Sequence, residues 1–158
     1  MEIPITIRQV TLSDLDEILA IEEANFSSEE AVSRQSLEEC IRKSAGTFLV
    51  ARDENQLVGY VLGALVSRSY TQTSLNLEIK RVAIHPDHRG QGLGTLLLAT
   101  LKPVAVEEGV KCLRLTCPDD FLSYFEMNGF VEEVTESHYG SGSGWQLIWA
   151  NPFYQEEI

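Results

Sequence analysis

Apolar and polar positions alternate over the stretch IPITIRQV, Ile3 to Val10, which predicts a half-buried strand at the start of the chain. The period then lengthens. Leu15, Ile18, Leu19 and Glu22 recur at helical spacing and put three apolar positions on one face, with Ser13 as the expected N-cap ahead of Asp14 and Asp16. A second helix over Arg34 to Lys43 collects Leu37, Cys40 and Ile41 on one side. The segment GTFLVARDENQLVGYVLGALVS reads as a hairpin turning at Asp53 to Gln56, and LNLEIKRVAI as a further strand. From Leu93 to Glu108 the helical period returns, with Leu96, Leu97, Leu101 and Val104 as the apolar stripe and Gly109 as the stop. Pro103 falls inside that helix and predicts a kink or interruption. VKCLRLTC is a strand, DDFLSYFEMN a short helix closed by Gly129 in the left-handed region, and FVEEVTE and WQLIWAN two closing strands around YGSGSG. With no internal repeat and no linker, the order predicts one α/β (α+β) domain over residues 1–158, a mixed sheet with flanking helices.

Between the strand ending at Ile84 and the helix starting at Leu93 sit Gly90, Gly92 and Gly94, with Arg89 just ahead. A plain tight turn needs one glycine. Three of them, opening a helix, let the backbone approach an anion while the first helical N–H groups point at it unpaired and the helix dipole adds attraction. A P-loop would require Gly-x-x-x-x-Gly-Lys-Ser/Thr, and no lysine follows Gly94; the dinucleotide fingerprint Gly-x-Gly-x-x-Gly does not match GQGLG.

The run Arg89-Gly90-Gln91-Gly92-Leu93-Gly94, preceded by VAIHPDH, resembles the acetyl-CoA signature Arg/Gln-x-x-Gly-x-Gly/Ala of the GNAT superfamily of N-acetyltransferases. The late SYFEMNGF falls in family order, and the early IEEANFSSEEAVSRQSLEECI and late LRLTCPDDFLSYFEMNGF look like the arylalkylamine N-acetyltransferase-like branch. The resemblance implies a mostly antiparallel mixed sheet and acetyl-CoA as cosubstrate. It places the pantetheine arm against Val82, Ala83 and Ile84, and the pyrophosphate at Arg89, Gly90, Gln91, Gly92, Leu93, Gly94 and Thr95. It also implies acetyl transfer to a primary amine, in that branch a small arylalkyl amine, by direct attack in a ternary complex. Glu78 falls where several members carry a catalytic base; on an ideal strand it shares a face with Lys80 and Val82, whose main-chain N–H would meet the thioester carbonyl. The family's tyrosine acid, in Phe-Tyr-Glu-x-x-Gly-Phe, is matched here by Phe125, which has no hydroxyl. Tyr124, turned about 100° from it on a helix, and Tyr139 are the other donors in reach of the pattern. That departure keeps a non-catalytic CoA-binding module open beside the enzyme, as is acetylation of a protein N-terminus or lysine.

The formal net charge is −12, which removes a nucleic-acid backbone as principal partner and suits a positively charged amine entering beside Glu29 and Glu30. Cys40, Cys112 and Cys117 are odd in number and share no ligand spacing with His85, His88 or His138, so reduced thiols and no metal are expected. His85 and His88 flank the glycine turn and are read as structural. No uncharged apolar run could span a bilayer and the N-terminus reads as a strand rather than a leader, so a cytoplasmic protein without a membrane partner is expected. The expected partners are acetyl-CoA and a small amine, and a homodimer is compatible with the chain.

Overall fold

The computed structural model describes residues 4–67, 75–133 and 144–155. Its strands are β1 (Thr6–Gln9), β2 (Phe48–Arg52), β3 (Leu57–Ser67), β4 (Leu75–Ile84), β5 (Cys112–Cys117), β6 (Val131–Glu132) and β7 (Trp145–Ala150). Its helices are α1 (Leu15–Asn25), α2 (Arg34–Ser44), α3 (Leu93–Glu108) and α4 (Asp119–Met127). The strands form one sheet in the order β1-β2-β3-β4-β5-β7-β6. Every pairing is antiparallel except β4 with β5. The strand exchange is the consequence of α3, which carries the chain over one face from the end of β4 back to the start of β5. This is the mixed, mostly antiparallel sheet with flanking helices that the sequence predicts.

Alternation along the strands feeds two cores. Leu49 and Ala51 of β2 face a cluster with Leu97, Leu98 and Leu101 of α3, whereas Phe48 and Val50 face Ile18 and Ile21 of α1 and Leu37 and Ile41 of α2. Burying a leucine or isoleucine of this kind contributes roughly 1.5–3 kcal/mol, so the two faces together hold the sheet between its helices.

Four local expectations are corrected. Ser13 does not cap α1. A short 3-10 turn over Leu12–Asp14 precedes it, with Thr11 at its start, and the Thr11 N–H donates to the Asp14 carboxylate at 2.8 Å. Asp14 is buried and also takes both Arg8 Nη groups at 2.8 Å, which fixes the entry upstream of the helix proper. On α1 the fourth buried position with Leu15, Ile18 and Glu22 is Ile21, not Leu19. On α3 the buried stripe is Leu93, Leu97, Leu98, Leu101 and Ala105; Leu96 is 42% exposed and Val104 only half-buried. Pro103 does not interrupt α3, because both it and Ala99, whose carbonyl loses its helical donor, are exposed to water. Gly109 and Gly129 end α3 and α4 at φ +69° and +94°. Among the described residues no helix is long and apolar enough to cross a membrane.

Candidate active site

The site begins with a fault in the sheet. β4 and β5 are in register only at Leu77 with Leu113 and Glu78 with Arg114; beyond Glu78 they part. A bulge accompanies the parting. Against β3, Ile79 pairs with Gly63 and Arg81 with Leu62, leaving Lys80 as the extra residue. The bulge reverses the alternation, so that Leu77 and Ile79 lie on the α3 face together with Val82 and Ile84, while Ala83 belongs to the α1 face. Glu78 therefore does not share a face with Val82, as an ideal strand would require. It stands at the closed end of the gap, with its carboxylate on Lys80 Nζ at 2.6 Å, and it is not part of the cleft wall.

The gap widens into a cleft of about 880 Å³. One wall is Ile79 to Ile84, the other Leu115 to Pro118, and the far end is closed by Arg89, Gly90, Gly92, Leu93 and Gly94. Of the residues expected to hold the cosubstrate, Val82, Ala83, Ile84, Arg89, Gly90, Gly92, Leu93, Gly94 and Phe125 are brought together here. Gln91 and Thr95 are exposed and stand outside the wall. Tyr139 lies outside the described residues.

The three glycines have two different reasons. Gly90 and Gly92 sit at φ +79° and +77°, and a Cβ on either would meet nothing within 4 Å; backbone conformation, not crowding by the protein, selects them. Gly92 is the N-cap of α3 and its carbonyl accepts from the Leu96 N–H at 3.0 Å. The N–H groups of Leu93, Gly94 and Thr95 consequently have no helical acceptor. Gly94 is different: a Cβ there would lie 2.5 Å from the Tyr124 hydroxyl. The third glycine admits a tyrosine rather than clearing room for a phosphate.

Tyr124 and Phe125 both line the cleft although adjacent on α4. Their rings meet edge to face at 5.2 Å; Phe125 leans onto Phe130 in the core, and the Tyr124 hydroxyl reaches the α3 N-terminus, 3.3 Å from Thr95 Oγ1. The cleft thus contains one tyrosine hydroxyl among its described lining residues, that of Tyr124, placed at the α3 N-terminus. Cys117 also lines the wall; burial first, then Asp119 and Glu126, push its thiol up, which disfavours a thiolate nucleophile there.

Sequence patterns missed the cleft's other side. Asn25 and Phe26, at the end of α1, line it. Behind them Glu22, 1% exposed, accepts from the Tyr60 hydroxyl, from Arg81 Nε at 3.0 Å and Nη2 at 2.9 Å, and from the Val32 N–H at 3.0 Å. Arg81 lies 3.7 Å over the Phe26 ring and also donates to the Glu30 carbonyl at 2.7 Å, so this buried pair ties the α1–α2 connection to β4. Burial, then the bond to Glu22, pushes the Tyr60 phenol far up. The one available signal was a carboxylate on the apolar period of α1. Glu29 and Glu30 are outside the wall, whose charged members are Lys80, Arg81 and Arg89. His85 caps the turn Pro86–His88 by accepting the Asp87 N–H, and His88, which contacts Gln56, also lines the cleft. No group of three metal-ligating side chains occurs among the described residues.

Known proteins share this fold. An uncharacterised N-acetyltransferase, ycf52 of Gracilaria tenuistipitata var. liui, is 28% identical over 90 residues, which span 57% of this chain and 46% of that protein. The match therefore covers less than half the length of the relative. Among solved structures, Ard1 from Thermoplasma volcanium superposes with a TM-score of 0.75 at 19% identity, covering 96% of this chain and 99% of that one. The PaiA N-acetyltransferase from Thermoplasma acidophilum, in complex with coenzyme A, gives 0.74 at 20% identity, covering 93% and 99%. At such identities the likeness is one of fold. The model of the Acetyltransferase (GNAT) family matches residues 12–130, from the turn before α1 through the glycine turn to Phe130, and the chain belongs to that family.

Proposed function

We propose that the protein moves an acetyl group from acetyl-CoA to a primary amine by direct attack in a ternary complex. The observation that carries this reading is the parting of β4 from β5, which leaves an unpaired strand edge leading directly to a helix N-terminus. An extended arm with amide groups can add to that edge at Val82, Ala83 and Ile84, strand-fashion. Its pyrophosphate then meets the free N–H groups of α3 and the charge of Arg89, with Gly90 to Thr95 as the cradle. The Val82 N–H, just past the bulge, is the donor for charge developing on the thioester oxygen.

Glu78, at the closed end, is the base in this scheme, directly or through water, once Lys80 releases it. Tyr124 is the donor to the departing sulfur, in place of the tyrosine that Phe125 displaces. A CoA thiol also leaves tolerably as thiolate near neutral pH, so this donor accelerates the step rather than enabling it. Support for a small arylalkylamine acceptor comes from the rings of Phe26, Phe121, Tyr124 and Phe125 in the wall, on which an aromatic group can stack.

Thiol release from acetyl-CoA over a panel of arylalkylamines, aliphatic amines and peptides tests the scheme. Fastest release with arylalkylamines is expected. Preference for peptide N-termini or lysine would replace the acceptor class. CoA binding by calorimetry without release from any acceptor would favour a non-catalytic module, the reading that Phe125 supports.

A further inference from the structure

We infer that Asn25, on the last turn of α1, is a positioning residue for acetyl-CoA: it aims Arg89 at the phosphate site without neutralising it. The inference rests on the reading of the glycine turn as the pyrophosphate site.

The orientation of the Asn25 amide is determined by its surroundings. Its Nδ2 donates to the Ile21 carbonyl at 2.8 Å and to the Ile84 carbonyl at 3.1 Å. Two carbonyl oxygens demand the nitrogen on that side, so Oδ1 is turned outward, and there it accepts from Arg89 Nη2. The partners come from three places in the chain: the body of α1, the last residue of β4, and the residue before the first glycine. Asn25 and Arg89 both line the cleft. Arg89 is exposed and long, and an unrestrained arginine would lose rotamer freedom on meeting a ligand; holding it in advance removes part of that cost.

The chemistry of the partner matters as much as its position. In this strongly acidic chain, Arg8 meets Asp14, Arg34 meets Asp16, Arg52 meets Glu17, Arg81 meets Glu22 and Arg114 meets Glu133. Arg89 instead meets a neutral amide. A carboxylate would orient the guanidinium equally well but would cancel the charge that a phosphate needs and repel the phosphate itself. An amide oxygen orients it and leaves the charge whole. An aspartate could not take this place without also turning an oxygen toward the two carbonyls.

The test is a double-mutant cycle on the affinity for CoA, measured by calorimetry at fixed ionic strength, with far-UV circular dichroism to verify folding. Arg89→Ala is expected to weaken binding about tenfold or more, and Asn25→Ala about threefold to tenfold, the entropy of one immobilised long side chain. In the Arg89→Ala background Asn25→Ala should then change affinity less than twofold, because its effect runs through the guanidinium. Asn25→Asp should bind CoA more weakly than Asn25→Ala. A role of Asn25 in merely stitching α1 to β4 would act equally in both backgrounds, so full additivity overturns the inference. Wild-type affinity in Asn25→Asp overturns it as well. Failure of the native protein to bind CoA would instead refute the pyrophosphate reading on which it rests.

Discussion

Gly94→Ala isolates Tyr124 from the rest of the site. The position is helical with no positive φ, so alanine meets no backbone strain and gains up to about 0.5–1 kcal/mol of helix propensity. Its Cβ would stand 2.5 Å from the Tyr124 hydroxyl, a separation that cannot be tolerated, and Tyr124 is the side chain free to move because it is 36% exposed. Turning outward, it gives up the contact with Thr95 Oγ1 at 3.3 Å and the edge-on contact with Phe125, the latter about 0.5–1.5 kcal/mol. Gain and loss nearly offset, so the melting temperature should stay within about 4 °C of the native value for a chain of this size. Turnover should respond quite differently. A positioned proton donor contributes about 10²-fold or more, and removing it lowers kcat with little change in CoA affinity. Thiol-release kinetics with the best acceptor, compared with Tyr124→Phe, provide the assay. Gly94→Ala and Tyr124→Phe should show equal losses, and the double variant no further loss. Native turnover in folded Gly94→Ala, with Tyr124→Phe impaired, would refute the geometry on which the assignment rests.

Three further outcomes are expected. Gly92→Val, forced to φ +77°, should lose at least about 1–2 kcal/mol of stability by thermal denaturation and most of its CoA affinity by calorimetry, since in the proposed scheme phosphate approaches through the open space over Gly92. Glu78→Gln should lower turnover most at mildly acidic pH, where free amine is scarce, and leave CoA affinity intact; an unchanged pH–rate profile would assign the base function to water. Burial alone would raise the Asp14 carboxyl, but the Arg8 bonds and the Thr11 N–H outweigh it and hold it below the usual range. Its contribution is therefore complete above the ordinary carboxylate value near pH 4 and is lost as pH falls toward the lower folded value. Denaturant titrations of Asp14→Asn should accordingly differ from native at pH 7 by about 1–3 kcal/mol and converge with it in strong acid.

The sequence made the order of elements and the glycine turn legible because both are local. The bounds of α3 follow from a glycine at each end. The run Leu96 to Leu98 is ambiguous by one position, and Leu93, hidden inside the glycine motif, resolves it only once α3 is seen against the sheet. The bulge is written in the sequence too: apolar residues fall at Leu75, Leu77 and Ile79, then at Val82 and Ile84, a slip of one in phase. Reading Glu78 onto the face of Val82 ignored that slip. What no local pattern could supply were partners far apart in the chain, such as Glu22 with Tyr60 and Arg81, or Asn25 with Arg89, separated by 38, 59 and 64 residues.

The parting of β4 and β5 also bears on what the protein must avoid. Two unpaired strand edges are an invitation to any extended chain, and exposed edges are where sheet proteins aggregate. Here both edges face each other inside the molecule, overhung by Phe125 and closed at one end by Leu93 and the helix it begins. Neighbouring strands lie ~4.8 Å apart, so a gap that takes one more strand is only about twice that wide. A folded neighbour cannot reach into it, and a polypeptide strand would have to place its side chains on the two faces of the sheet, which α3 and α1 already cover. A thin, flexible arm bearing amides and no branches of that bulk can. The narrowness that protects the sheet from misassembly is thus, in the proposed scheme, also what selects the cosubstrate's arm.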